Sequence, residues 1–326
     1  MPLTLFMNAV LAAAAGTAPM ALPAGQMAAP EITAASTAAE IVSGEEDRYQ
    51  RMTVPVTIGG QGPFRFMIDT GSQATVVTRG LSDKLQLQPV GVATVVGMAS
   101  RVPVQLVALD GLEFAERVFD NISAPLLEAR HVGADGILGL DSLQDMRVLI
   151  DFRQDTIAVD QASEASGDRG YEIVVRARRK LGRLIITDAV IDGVRAAVII
   201  DTGAQNSVGN MALSRKLRAS TSDLTSATDV NGAIMTGSQD IARVLRIDGM
   251  QLNNVPITFT DSPAFDVLEL TRKPALILGM GNLRMFDRVA IDFASRKVLF
   301  DLPREAGFQN GISRNYRTGR LRTGKM

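Results

Sequence analysis

The sequence contains the same motif twice, 132 residues apart. Asp69-Thr70-Gly71-Ser72 recurs as Asp201-Thr202-Gly203-Ala204, and a strand-like apolar run precedes each copy. Upstream of the motifs the two copies align without a gap, so that Arg51 falls on Arg183. With 326 residues and ample Val, Ile and Leu, the chain is long enough to build two modest cores. The sequence therefore predicts two copies of one lobe.

Downstream of the motifs the order of features is kept, although the register slips. Ile137-Leu138-Gly139 corresponds to Ile277-Leu278-Gly279. Most of each copy consists of strand-like apolar runs separated by Gly-bearing turns. We expect an all-β fold with two barrel-like lobes related by a pseudo-two-fold duplication. One short helix per lobe is expected after each Ile-Leu-Gly, at 140–146 and 282–286.

Composition places the boundaries of these lobes. The first lobe is assigned to 40–160, a linker with Ser and Gly to 161–170, and the second lobe to 171–303. Residues 304–326 are rich in Arg, Gly and Asn, which predicts a basic disordered tail; a binding arm is the alternative.

The first 29 residues form a separate segment. Residues 3–15 are apolar but too few to span a bilayer, and small residues follow them. This pattern favours a signal peptide and a periplasmic or secreted bacterial protein, although no Lys or Arg precedes the apolar run. A disordered Ala-rich leader is the alternative. No membrane span is predicted.

Composition also excludes several kinds of chemistry. The chain has no Cys, which removes thiol catalysis, Cys-based zinc sites and disulfides. The single histidine, His131, lies in a predicted surface loop and would have to serve any Ser-His or His-metal scheme alone. With 34 Lys and Arg against 35 Asp and Glu, and with no Trp, the chain lacks a basic field and stacking platforms for nucleic acid. We expect no cofactor, no metal and no nucleic-acid partner.

Two carboxylates at equivalent places in paired lobes predict a site that shares a proton. Gly71 and Gly203 permit close approach of the backbone, so Asp69 and Asp201 are expected to face each other. Repulsion between the like charges then keeps one proton between them, so that one side chain acts as base and the other as acid. For one Asp-Thr-Gly alone, an ordinary aspartate in a turn is the competing interpretation.

These motifs resemble those of the retropepsin-like aspartic peptidases, in the bacterial form that has two lobes in one polypeptide. The resemblance covers about 40–303 and rests on the two Asp-Thr-Gly motifs and the two Ile-Leu-Gly tracts. It implies retropepsin- or pepsin-like β-barrel lobes with Asp69 and Asp201 as the catalytic dyad. It also implies that Thr70 and Thr202 exchange hydrogen bonds beneath the dyad, and that the Ile-Leu-Gly tracts pack under the catalytic loops.

The resemblance implies a flap in each lobe as well. By position the flaps are Val95-Val96-Gly97-Met98 and Val230-Asn231-Gly232-Ala233. The residues expected to contact substrate are Val96, Gly97, Met98, Asn231, Gly232 and Ala233. Neither flap carries the Tyr that is typical of pepsins. The apolar side chains of the first flap indicate a preference for apolar residues beside the cleaved bond.

The function implied is that of an aspartic endopeptidase acting on extended segments of protein or peptide substrates. An extended segment binds through its main chain and places its side chains on alternating faces. A monomer is expected to be the active form, because two lobes already close the pseudo-two-fold symmetry. Two alternatives remain open: a non-catalytic peptide-binding module of the same fold, and a homodimeric protease that uses only one of the two motifs.

The two motifs differ at their fourth residue. The Ser72 hydroxyl can donate a hydrogen bond to Asp69, whereas Ala204 offers no such donor to Asp201. Because hydrogen bonding to the charged form favours ionisation, we expect Asp69 to be the anion and Asp201 the proton carrier. Activity is then expected at a higher pH than in enzymes with Ser at both positions.

Overall fold

The structure is a computed structural model. It describes residues 3–5, 40–43, 45–46, 52–161, 171–180, 182–219, 223–303 and 312–314. Most of the predicted leader, linker and tail lies outside these ranges, and the predictions for those parts are not tested. Within the described ranges, no helix is both long enough and apolar enough to cross a membrane.

Both lobes are built from short strands with a few short helices. Three strands come first: β1 Leu3–Leu5, β2 Glu40–Ser43 and β3 Glu45–Glu46. The first lobe continues with β4 Met52–Ile58, β5 Gln61–Ile68, β6 Val76–Thr78, α1 Arg79–Leu85, β7 Pro89–Val96, β8 Arg101–Leu109, β9 Leu112–Phe114, β10 Arg117–Phe119, β11 Ile122–Leu127, α2 Ala129–Val132, β12 Gly136–Leu138, α3 Leu140–Leu143, β13 Met146–Asp151 and β14 Thr156–Gln161.

The second lobe repeats this order. It contains β15 Ile173–Arg176, β16 Arg178–Lys180, β17 Arg183–Ile191, β18 Val194–Ile200, β19 Val208–Gly209, α4 Met211–Leu217, β20 Asp223–Asp229, β21 Ile234–Ile247, β22 Met250–Phe259, α5 Pro263–Val267, β23 Ala275–Leu278, α6 Met280–Leu283, β24 Arg288–Asp292 and β25 Lys297–Asp301, and β26 Ile312–Arg314 follows. The repeated order confirms the prediction of a two-lobed all-β fold.

The helices are more numerous than expected. Each lobe has three in the described residues, where one was predicted. The expected pair is present as α3 and α6, directly after the Ile-Leu-Gly tracts. The others have seven residues or fewer, too short for a helical period to show in the sequence. Two of them begin at local caps: Thr78 accepts from the Leu81 N–H before α1, and Asn210 accepts from the Leu213 N–H before α4.

The strands of the described residues form three sheets. Each lobe contains one sheet of ten strands, and a third sheet of six strands joins the lobes in the order β15-β25-β24-β13-β14-β2. The strands at its centre, β13 and β24, belong to different lobes and pair antiparallel, with Leu149 opposite Ala290. Within each lobe, the strand before the motif pairs in parallel with the Ile-Leu-Gly strand, β5 with β12 and β18 with β23.

Alternation of apolar residues explains how the lobes pack. In β5, Phe64 and Phe66 point into the core while Arg65 stays exposed, and in β18 Ala196 and Val198 do the same. The main core cluster contains these residues and runs through both lobes without a break. Backbone pairing and apolar contacts therefore fix the lobes together, with the ends of β5 and β18 near each other.

Candidate active site

The two motif aspartates lie where equivalent strands end. Asp69 follows β5 and Asp201 follows β18. Their backbone N–H groups donate to the carbonyl oxygens of Leu138 and Leu278, at 3.1 Å in both cases. These carbonyls belong to β12 and β23, so each turn is anchored on the Ile-Leu-Gly strand beside it. Both aspartate side chains are buried, with exposed fractions of 1% and 0%.

Each carboxylate is held by its own turn. Asp69 Oδ1 accepts hydrogen bonds from the N–H groups of Gly71 (2.8 Å) and Ser72 (3.0 Å). Asp201 Oδ1 accepts from those of Gly203 (2.9 Å) and Ala204 (3.0 Å). The two turns thus present their aspartates in the same way.

The motif glycines bring the two carboxylates together across the lobe boundary. A Cβ atom at Gly71 would overlap the Asp201 carboxylate, and one at Gly203 would overlap the Asp69 carboxylate. Glycine is therefore required here for space rather than for an unusual backbone angle. The result is a buried pair of carboxylates at the pseudo-two-fold centre.

The motif threonines tie the two turns to each other. Thr70 Oγ1 donates to the Ile200 carbonyl at 2.9 Å, and Thr202 Oγ1 donates to the Ile68 carbonyl at 2.7 Å. Each hydroxyl also accepts from the backbone N–H of the other threonine, at 3.1 and 3.2 Å. All four groups are buried, so this reciprocal set of hydrogen bonds fixes the distance between the turns.

The Ile-Leu-Gly tracts support the turns from below. Ile137, Leu138, Ile277 and Leu278 are all buried. A Cβ atom at Gly139 or Gly279 would overlap backbone atoms that follow the motif of the same lobe. The first residue of α3 donates to the Ser72 carbonyl at 2.9 Å, and the first residue of α6 donates to the Ala204 carbonyl at 2.7 Å.

A comparison with protein families agrees with this geometry. A family model described as aspartyl protease matches the chain twice, over residues 54–142 and 187–281. The two matches cover more than half of the chain, and each contains one motif and one Ile-Leu-Gly tract. The chain belongs to the aspartyl protease family. Among curated proteins, none matches it. The double match confirms the resemblance to a duplicated aspartyl protease that was inferred from the motifs.

Burial raises the proton affinity of both carboxyl groups of this aspartyl protease. Burial raises the pKa of Asp69 from 3.8 to about 6, although the Gly71 N–H, the Arg183 charge and a hydrogen bond from Asp201 all lower it. Burial also raises the pKa of Asp201 well above 3.8, and the negative charge of Asp69 raises it further. The two carboxyl groups titrate as a pair, and burial favours the protonated form of both.

The hydrogen bond expected from the Ser72 hydroxyl to Asp69 is wrong. The Ser72 hydroxyl donates to the Ala74 carbonyl at 2.8 Å and not to Asp69. Its backbone N–H provides the hydrogen bond to Asp69, and Ala204 provides the same bond to Asp201. A side-chain hydroxyl at this position has a nearer acceptor in its own turn, which the sequence does not reveal.

One charged residue beside the pair was not singled out from the sequence. Arg183, at the start of β17 in the second lobe, is fully buried. Its Nε and Nη2 atoms donate to the Gly71 carbonyl of the first lobe, at 2.9 and 2.6 Å. Its charge lowers the pKa of both aspartates. The alignment of Arg51 with Arg183 was the available signal; Arg51 lies outside the described residues.

The predicted flaps are the tips of two β-hairpins. The first lies between β7 and β8, and the second between β20 and β21. The two tips contact each other. Asp229, buried at the base of the second tip, accepts from the Ala99 N–H (3.1 Å) and the Ser100 hydroxyl (2.6 Å) of the first. Asn231 Nδ2 also donates to Ser100 Oγ at 2.9 Å.

Each flap tip packs into the opposite lobe. Met98 of the first flap is fully buried in an apolar cluster of the second lobe that includes Ala204 and Phe265. Its carbonyl oxygen accepts from the Ser262 hydroxyl at 2.6 Å. Val230 of the second flap belongs to the matching cluster of the first lobe, with Ala74. Each flap therefore reaches the lobe opposite to its own.

The other predicted flap residues lie at or beside these tips. Val96 is the buried last residue of β7, and a Cβ atom at Gly97 would overlap the Asp229 carboxylate. Gly232 has a φ of 87° and lies against His131, whose Nε2 accepts from Arg130 Nε at 3.1 Å. His131 lies in α2, not in the expected loop, and faces the second flap.

Proposed function

We propose that this aspartyl protease is an aspartic endopeptidase that hydrolyses peptide bonds in extended segments of other proteins. The observation that supports this most strongly is the buried pair of carboxyl groups at the pseudo-two-fold centre. One member ionises near pH 6 and the other keeps its proton to higher pH. Such a pair provides a base and an acid at the same bond.

In the proposed mechanism a water molecule attacks the peptide carbonyl directly. The Asp69 carboxylate takes a proton from the water as the water oxygen bonds to the carbonyl carbon. Asp201 donates its proton to the carbonyl oxygen, which gives a tetrahedral diol. Asp69 then returns its proton to the amide nitrogen while Asp201 takes one from the diol, and the C–N bond breaks. No acyl-enzyme forms.

The flaps indicate how substrate reaches the pair. Because Asp229 and Ser100 join the tips, and because Met98 is buried in the opposite lobe, a peptide requires the hairpins to separate first. Once bound, an extended backbone pairs with hairpin edges and presents alternate side chains to the pockets that the flap tips leave. We propose a preference for apolar residues beside the cleaved bond, since those pockets are apolar.

The first experiment is cleavage of an unfolded protein by the parent, Asp69→Asn and Asp201→Asn across pH. We expect the parent rate to rise through about pH 6 as Asp69 ionises and to fall where Asp201 loses its proton. Both variants should lose at least about a thousandfold in kcat, because each lacks one half of the acid–base pair. Pepstatin, which resembles the tetrahedral intermediate, should inhibit the parent.

A matched control distinguishes the loss of a catalytic group from a general loss of stability caused by replacing a buried aspartate. Asp292 is a buried carboxylate in the sheet between the lobes, where it accepts from the Ser295 N–H at 2.7 Å. Asp292→Asn should keep kcat within a few-fold of the parent. A folded parent that binds pepstatin but never cleaves would support the peptide-binding module instead. If one of the two motif variants stayed fully active, the homodimer that uses a single motif would be the better explanation.

A further inference from the structure

We propose that Arg183 is a positioning residue of the aspartate pair, acting through the peptide group between Gly71 and Ser72 to hold the Asp69 carboxylate and favour its charged form. This inference rests on the proposed function only for its kinetic consequence. The geometry on which it stands is independent of any turnover.

A continuous chain of hydrogen bonds links Arg183 to Asp69. Arg183 places two donors, Nε and Nη2, on one carbonyl oxygen, that of Gly71. The same peptide group carries the N–H of Ser72, which donates to Asp69 Oδ1 at 3.0 Å. A cation at the oxygen end of a peptide group polarises it and makes its N–H a stronger donor.

Burying the charged side chain of Arg183 costs free energy that nearby groups must offset. Arg183 has no exposed surface, and a charged side chain is not buried without strong compensation. Among the described residues, the negative or partly negative groups near Arg183 include the Gly71 carbonyl and the aspartate pair. Burial lowers the pKa of Arg183 to about 10, and the charges of Asp201 and Asp69 oppose that change. The guanidinium therefore stays charged over the range in which the pair titrates.

The contact between Arg183 and Gly71 crosses the lobe boundary. Arg183 belongs to β17 of the second lobe and Gly71 to the turn of the first. Removing the contact should therefore loosen the Asp69 turn relative to Asp201, in addition to removing a charge. A residue that only joined the lobes would affect stability, but it would leave the titration of the pair unchanged.

The test is a titration of the two buried carboxyl groups by carbon NMR in the full chain, with Asp69→Asn and Asp201→Asn used for assignment. Arg183→Gln keeps a polar donor but removes the charge, and we expect the lower apparent pKa of the pair to rise by roughly one unit. The acid limb of kcat/KM should move by the same amount. Arg183→Lys, which keeps the charge, should titrate close to the parent but show a lower kcat.

Arg147→Gln is the matched control. Arg147 is a buried arginine in the sheet between the lobes, stacked on Tyr171 at 5.3 Å, and its loss should leave the titration unchanged. A parent-like titration of folded Arg183→Gln would overturn the proposal. If that variant does not fold, Arg183→Lys decides: a parent-like kcat would overturn the positioning role. Because NMR reads the pair without turnover, failure of the proposed function would remain distinguishable from failure of this inference.

Discussion

At the scale of single residues, the pair of aspartates is a source of instability at neutral pH. Each carboxyl is buried, and burial disfavours the charged form. The backbone N–H groups that hold each Oδ1 offset only part of this cost, since the pKa of Asp69 is still about 6. The fold thus keeps two groups at its centre that favour protonation.

This instability leads to a prediction for Asp69→Asn. Below pH 3.8 the Asp69 carboxyl is protonated in both the folded and the unfolded chain, so it does not lower the free energy of unfolding. Between pH 3.8 and about 6 the carboxyl is ionised in the unfolded chain but still protonated in the folded one, so the free energy of unfolding falls as the pH rises. Above about 6 the full penalty applies, about 3 kcal/mol. Asn carries no charge and can still accept from the Gly71 N–H. Asp69→Asn should therefore raise Tm at pH 7 but not at pH 3.5.

Thermal unfolding at the two pH values checks this prediction. A gain on the order of 5 to 10 °C at pH 7 corresponds to the estimated penalty. The control is Asp292→Asn, which should not raise Tm at either pH because it weakens the turn that Asp292 caps. An equal change in Tm for Asp69→Asn at both pH values would show that ionisation of the pair does not limit stability.

At the scale of elements, the two hairpins contact each other at their tips. Their tips are joined by the Asp229 carboxylate, whose Oδ1 accepts from the N–H groups of Asn231 and Ala233 while its Oδ2 accepts from the other flap. One carboxylate therefore shapes the second tip and binds the first. Opening the flaps would also withdraw Met98 and Val230 from the apolar clusters of the opposite lobes, whereas the main core cluster contains neither residue.

A disulfide between the tips should lock them. The chain has no Cys, so Ser100→Cys with Asn231→Cys introduces the only pair of thiols, at positions whose side chains are in contact. We expect the oxidised double variant to lose nearly all cleavage of protein substrates and to recover it on reduction, because substrate needs separated flaps. Rates of the oxidised and reduced forms, with each single variant as control, measure this. Full activity of the oxidised form would show that substrate does not pass between the tips.

At this scale, the sequence predicts the elements whose signal is a local pattern and misses contacts between residues that are distant in the chain. The motifs, the Ile-Leu-Gly tracts and the flap positions are local patterns repeated in both lobes, and duplication makes them visible. The contacts of Arg183 with Gly71 and of Ser262 with Met98 join residues more than a hundred positions apart. No hydrophobic period or motif spacing in the sequence indicates that these residues are in contact. The short helices were missed for a different reason, since fewer than two turns give no periodic signal.

At the scale of the whole molecule, the chain forms its own pseudo-dimer. The central strands β13 and β24 come from different lobes, and the core cluster continues across them. A second chain is not needed to supply an aspartate, because within one chain the backbone N–H of each motif threonine already donates to the hydroxyl of the other. These contacts favour a single chain as the unit of activity.

Mixing two inactive variants tests this directly. If one chain is the unit, Asp69→Asn and Asp201→Asn should each be inactive, and their mixture should stay inactive, since no chain then has both aspartates. Parent activity should rise in proportion to concentration, and the active species should sediment as a monomer. Asp292→Asn mixed with either variant is the control and should keep the activity of its own fraction. In a homodimer that pairs Asp69 with Asp69, Asp201→Asn would instead be active alone and its rate would rise with the square of dilute concentration, because each active site would need two chains.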